Sequence, residues 1–205
     1  MPLRLLTDLL FPPRCPGCDR FQRGFCPACR QQIEPASPPL LPGLDLVEAA
    51  GLYHGPLRQA IHGLKFQGHL ACARELAALL SCPPGLLVPV PSGPWRHHQR
   101  GFNPSELLVR ALDRPWKALL SCPDGPQQKR LELAQRRQLR TVQARSRVSG
   151  PVVLVDDVLT TGSTLISCAL ALREAGASPV RAVVVAYQTR RNVHKQVAFS
   201  QSGQG

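Results

Sequence analysis

At 205 residues the chain has room for one α/β domain of ordinary size and a small appendage, with enough aliphatic residues for a core although aromatics make up only 5%. No apolar run approaches a membrane span, which argues against membrane insertion. The net charge is +12, and 12 Lys/Arg against 4 Asp/Glu between Arg96 and Arg147 place a net +8 in that segment, favouring an anionic partner such as a polyphosphate or nucleic acid.

Met1 to Phe11 has the look of a signal peptide, but Asp8 interrupts the apolar run and no small-residue cleavage site follows, so a short amphipathic helix is expected. A cytoplasmic location follows, and with it reduced or metal-bound cysteines rather than disulfides. Cys15-Pro16-Gly17-Cys18 and Cys26-Pro27-Ala28-Cys29 then form a C-x₂-C-x₇-C-x₂-C array. Two intervening residues let both thiolates of a knuckle face one ion, so two knuckles predict a closed, structural Zn²⁺ site in a compact hairpin; a redox or disulfide pair is the alternative. Residues 1–34 read as this zinc module, and Pro35, Pro38, Pro39 and Pro42 mark 35–43 as a semi-rigid linker.

Residues 44–188 read as one α/β domain with a mainly parallel sheet flanked by helices. Leu44 to Tyr53 is strand-like, His54-Gly55-Pro56 turns the chain, and Leu57, Ala60, Ile61 and Leu64 keep helical spacing. A second helix repeats that spacing at Ala73, Leu76, Ala77 and Leu80. Leu86 to Ser92 is the next strand and turn, the strand ended or displaced to a special position by Pro89 and Pro91, which remove two ladder donors. Asn103-Pro104-Ser105-Glu106 predicts a helix with Asn103 as N-cap, Pro104 at the first position and Glu106 completing a capping box. Trp116 to Leu120 is a short strand, and Cys72, Cys82, Cys122 and Cys168 read as buried or partly buried thiols.

Gln127 to Gly150 carries Lys129, Arg130, Arg136, Arg137, Arg140, Arg145 and Arg147. It reads as a basic lid over a substrate, as a nucleic-acid surface, or as a solvated charged helix. The aliphatic run Val152-Val153-Leu154-Val155 predicts a strand buried on both faces. Asp156 and Asp157 end it, Thr160-Thr161-Gly162-Ser163-Thr164 makes a polar turn, and Leu165 to Ala175 is a helix stopped by Gly176. Backbone N–H groups at such a turn hold a phosphate, with Thr160, Thr161, Ser163 and Thr164 adding hydroxyls and Gly162 allowing close approach. Two carboxylates repel phosphate but suit sugar hydroxyls, or Mg²⁺ shared with phosphates, so a sugar phosphate satisfies both halves. Val180 to Tyr187 is the last strand, and 189–205 reads as a polar tail.

The stretch from Val153 to Thr164 resembles the phosphoribosyl pyrophosphate (PRPP) motif of type I phosphoribosyltransferases, in which an acidic pair holds the ribose hydroxyls and the next loop wraps the 5-phosphate. Tyr53-His54-Gly55-Pro56-Leu57-Arg58, Leu64-Lys65-Phe66-Gln67-Gly68 and Arg100-Gly101-Phe102-Asn103 resemble the ComF family, whose members also place a four-cysteine zinc module before the transferase motifs. The resemblance implies a phosphoribosyltransferase-like, Rossmann-like fold that binds PRPP or a related phosphoribosyl ligand with Mg²⁺. Pyrophosphate would lie toward Ser92 and Arg100, with Lys65 a phosphate contact and Arg136 and Arg137 of the basic loop donating to the departing pyrophosphate. The acceptor is a nitrogen nucleophile of unknown identity. The same resemblance implies a role in DNA uptake or use, and equally a non-catalytic module that handles single-stranded DNA beside competence or recombination proteins.

Overall fold

The computed structural model describes residues 13–67, 70–93, 98–122 and 142–189. The expected helix at the start of the chain, Arg136 and Arg137 of the basic loop, and all but the first residue of the polar tail lie outside them.

Four parallel strands make the central sheet: β1 (Leu46–Leu52), β2 (Leu86–Pro89), β5 (Gly150–Leu159) and β6 (Ala177–Tyr187), in the order β1-β6-β5-β2. A two-stranded antiparallel pair, β3 (Leu120–Ser121) and β4 (Gln143–Ala144), stands apart from it. The helices are α1 (Pro27–Gln31), α2 (Gly55–Gln67), α3 (Leu70–Ala77), α4 (Pro104–Ala111) and α5 (Ser163–Glu174).

β5 is central because its residues suit burial on both faces. Val152, Val153, Leu154 and Val155 are all at 0% exposure, each contributing about 1.5–3 kcal/mol of burial. Val153 and Val155 face a core built with Leu57, Ile61 and Leu64 of α2, Leu76 of α3 and Leu108 of α4. Val152 and Leu154 face a second core with Leu165, Cys168 and Leu172 of α5. The outcome is a helix–sheet–helix sandwich, with the carboxyl ends of the parallel strands at one rim.

Several boundaries differ from the sequence expectation for identifiable reasons. β6 begins at Ala177 because Gly176, at φ +105°, reverses the chain directly after α5; a Cβ there would meet the Val148 carbonyl oxygen at 2.8 Å. The extended segment at Trp116 pairs with the outer edge of β2 through Leu87, while Leu120 belongs instead to the β3–β4 pair. Pro89 is tolerated because β2 ends the sheet, and the Val90 N–H still donates to Val155 O at 3.0 Å.

The proline-rich stretch runs along the domain. The Leu52 N–H donates to Glu34 O, Ala36 bridges Ala49 of β1, and Leu41 lies against Gly162. The cysteine module is packed in the same way. Cys15, Phe25, Cys26 and Cys29 share one buried cluster with α2, and a Cβ on Gly17 would meet the Pro56 Cβ at 2.6 Å.

Candidate functional site

The four cysteine sulfurs lie within 4.8 Å of one another, with Cys18 and Cys26 Sγ 3.7 Å apart. Sulfurs ~2.3 Å from one tetrahedral zinc stand about 3.8 Å apart, so the cluster has the size that ion requires. An antiparallel bridge between Arg14 and Phe21 closes the first knuckle, and α1 carries Cys29. Burial raises the Cys15 thiol, but the Cys26, Gly17 and Cys18 backbone N–H groups outweigh it and pull the thiol down to about 6, toward the thiolate a metal takes. Burial, then the neighbouring sulfurs, push Cys29 up, a penalty that a dication at the centre reverses. The residues fit structural Zn²⁺.

The acid turn sits at the carboxyl end of β5. Lys65, in the last turn of α2, places Nζ 2.9 Å from Asp157 Oδ1, with both side chains largely buried. Ser105 Oγ donates to Asp156 Oδ1 at 2.8 Å, and the Asp157 N–H donates to the same oxygen at 2.9 Å. Burial, followed by the adjacent Asp157 carboxylate, pushes Asp156 up to about 7 against the pull of Ser105, the Asp157 N–H and Lys65. Asp157 is 9% exposed and Asp156 is half-buried at the rim.

Beyond the acids, Gly162 takes φ +79° as the N-cap of α5, a left-handed conformation that suits glycine. Thr160, Thr161 and Ser163 are exposed, Thr164 is half-buried, and the Thr161 and Ser163 hydroxyls are 3.2 Å apart. The first-turn N–H groups of α5 have no partner within the helix and open onto this bend.

Asn103 couples a second loop to the same rim. Its Oδ1 accepts from the Ser105 N–H at 3.1 Å and from Ser92 Oγ at 3.0 Å, while its Nδ2 donates to Val90 O at 3.0 Å. The predicted cap of α4 is therefore also the anchor of the Val90–Ser92 loop. Glu106 does not complete the expected capping box; its Oε1 accepts from Arg110 at 2.7 Å, the charged partner one turn on. Arg100 lies with its guanidinium carbon 5.4 Å from the centre of the Phe66 ring, beside Lys65.

The fold thus joins Lys65, Ser105, Asp156 and Asp157 in one chain of contacts and brings Ser92 to it through Asn103. Ser105 was not singled out by sequence reasoning; its signal was a hydroxyl in the first turn of a helix capped by Asn103 and Pro104. Nor is Lys65 the solvated lysine its helix-end position suggests, since it neutralises an acid. Phe25, in the cysteine module, is 4% exposed and belongs to the core. A cleft of about 380 Å³ lies elsewhere, along β1, lined by residues including Ala36, Glu48 and Leu80.

Residues 6–40 match the family model of the double zinc ribbon domain, and 124–201 match that of the phosphoribosyl transferase domain. The DNA utilization protein YhgH of Escherichia coli K12 is 32% identical over 85% of this chain and 83% of its own length. Competence protein F of Haemophilus influenzae is 29% identical over 82% of this chain and 87% of its own. A solved structure of the allosteric regulatory enzyme of purine biosynthesis aligns with TM-score 0.39 and 23% identity over 55% of this chain, which spans 24% of that one. A zinc ribbon joined to a phosphoribosyltransferase-type domain is the class that the two family models define. Within that class, the chain belongs to the ComF family.

Proposed function

We propose that the protein binds PRPP or a related phosphoribosyl ligand at the acid turn and transfers the phosphoribosyl group to a nitrogen nucleophile in the service of DNA utilization. The observation that carries this reading is the meeting of two carboxylates and a hydroxyl-rich helix start at one strand end, where the acids suit ribose hydroxyls and the bend suits a phosphate.

Each residue then has a task. Asp156, oriented by Ser105, and Asp157, oriented by Lys65, accept from the sugar hydroxyls. Thr160, Thr161, Ser163 and Thr164, with the N–H groups around Gly162, take the 5-phosphate. Ser92 and Arg100 lie toward the pyrophosphate, and Arg136 and Arg137 are assigned to it from sequence. Lys65 already balances one acid, so Mg²⁺ would be held mainly by ligand oxygens with Asp156 as its protein carboxylate, and it would screen the pyrophosphate charge. As the C1–O bond breaks, the nucleophile adds to C1 and the electron pair leaves with pyrophosphate. The protein contributes positioning and fixed charge. Pyrophosphate release from PRPP and Mg²⁺ should appear with at least one nitrogenous acceptor and vanish in Asp156→Asn/Asp157→Asn; release that persists in the double variant contradicts the assignment.

A second reading, handling of single-stranded DNA by the zinc module, is favoured by Phe21, which is 71% exposed with the Arg14 guanidinium 4.4 Å over its ring. Base–aromatic stacking of this kind is worth about 1–3 kcal/mol per base. Oligonucleotide binding that weakens with salt and with Phe21→Ala supports this reading, and binding indifferent to both removes it.

A further inference from the structure

Where the sheet ends at β1, one of its faces is left without a full cover. Val47 packs into the core shared with α5, so Glu48, next along the strand, turns to the α2–α3 side. Its register partner is Val183, 1% exposed in that core, yet the edge position holds a carboxylate. Glu48 lines the cleft of about 380 Å³ that opens between β1, residues 36–38 and the turn after α3, with Leu79, Leu80 and Val183 as apolar wall. Among the described residues the half-buried Glu48 carboxylate has neither an ion pair nor a hydrogen bond. Arginines of the neighbouring segments are committed to backbone: Arg114 donates to Cys82 O and Pro83 O, each at 2.9 Å, and Arg181 donates to Pro84 O at 3.3 Å. The Glu48 charge is nevertheless felt nearby. Burial pushes the Cys82 thiol up, Arg114 pulls it down, and Glu48 adds to the rise.

We propose that this cleft binds a small organic cation, an ammonium or amidinium on an apolar body, with Glu48 as its counter-ion. The cleft shares no lining residue with the acid turn, and the inference does not rest on the reading of that turn. Other ligand classes fit poorly. An anion, phosphate esters included, would meet a carboxylate and no Lys, Arg or His among the described lining residues. A divalent metal needs several oxygen ligands, and the cleft offers one carboxylate. A neutral apolar molecule would strip water from Glu48 without pairing it, which is costly. A cation with an apolar body satisfies both the walls and the charge, and an amidinium takes both carboxylate oxygens at once. The volume stands at the small end of ligand cavities, roughly 300–1,000 Å³. One wall belongs to the segment that joins the cysteine module to the domain, held to β1 by an isolated bridge from Ala36 to Ala49, so an occupant would brace that connection.

The test uses the zinc-loaded full chain with labelled methyl groups, titrated at neutral pH and followed by NMR. Benzamidine and hexylamine are the cationic probes; benzamide and benzoate are the neutral and anionic counterparts of the first. Saturable shifts of the Leu79, Leu80 and Val183 methyls are expected with at least one cation, with a dissociation constant on the order of 1 mM for so small a ligand. Benzamide and benzoate should bind at least about tenfold more weakly than benzamidine, and Glu48→Gln should weaken the cation about tenfold. If Glu48→Gln shifts methyls throughout the molecule, the ranking of the three benzene derivatives on the wild type decides alone. No saturable shift with either cation, benzamide or benzoate binding as well as benzamidine, or unchanged affinity in a folded Glu48→Gln overturns the proposal. So do shifts confined to Val158 and Leu159, which would place the cation at the acid turn instead.

Discussion

Asp156→Asn should stabilise the folded protein at alkaline pH. Asp156 Oδ1 accepts from Ser105 Oγ and from the Asp157 N–H, and asparagine keeps an oxygen for both donors while removing the ionisable group. Burial and the Asp157 carboxylate, opposed by Ser105 and Lys65, raise this acid from 3.8 to about 7; the Cys168 thiol nearby is itself pushed up by burial and by Asp156. Between those two pH values the folded chain keeps a proton that the unfolded chain has released, so stability falls as pH rises through the window. At ~1.36 kcal/mol per pH unit, the fall between pH 5 and pH 8 is about 3 kcal/mol at most. Chemical denaturation of wild type and variant across that range, with zinc present, gives a difference from which groups titrating alike in both proteins cancel. The variant's advantage should grow by about 1–3 kcal/mol toward pH 8, each kcal/mol being worth roughly 2–4 °C in Tm at this chain length. A difference that stays constant with pH, or a variant less stable at pH 8, would refute the reasoning.

Other perturbations probe separate parts of the account. Stripping zinc with a chelator, or Cys29→Ser, should lower the melting temperature of the whole chain because Cys15, Cys26 and Cys29 share a core with α2; a metal-free protein that melts unchanged would contradict this. Gly162→Ala should cost about 1–2 kcal/mol for its left-handed backbone, with a further push on Leu41, and a neutral melt would count against that geometry. Asn103→Ala should lose about 1 kcal/mol with the helix cap. Because the same change frees Ser92 and Val90, faster amide exchange in that loop is the signature that distinguishes an anchor from a simple cap.

The elements legible in the sequence were those specified by local pattern. Val152 to Val155 has no polar face to present to water, Asn103-Pro104 starts a helix by local hydrogen bonding, and Gly176 stops one. What escaped the sequence depends on contacts made at long range. Nothing local tells Lys65 that Asp157 will lie 2.9 Å away, or Ser105 that its hydroxyl will meet Asp156 across 51 residues of chain. Phe25 and Phe21 both lie on the short stretch between the two knuckles, yet only docking on α2 decides that the first is core and the second is surface. Glu106 had two local partners within reach, and the arginine four residues on prevailed over the cap.

Titration calorimetry of the zinc-loaded chain with PRPP and Mg²⁺, run in parallel on Asp156→Asn/Asp157→Asn, addresses the central claim most directly. Saturable binding of one ligand per chain by the wild type and none by the double variant is the predicted result. Equal binding by both, or none by the wild type, would contradict it.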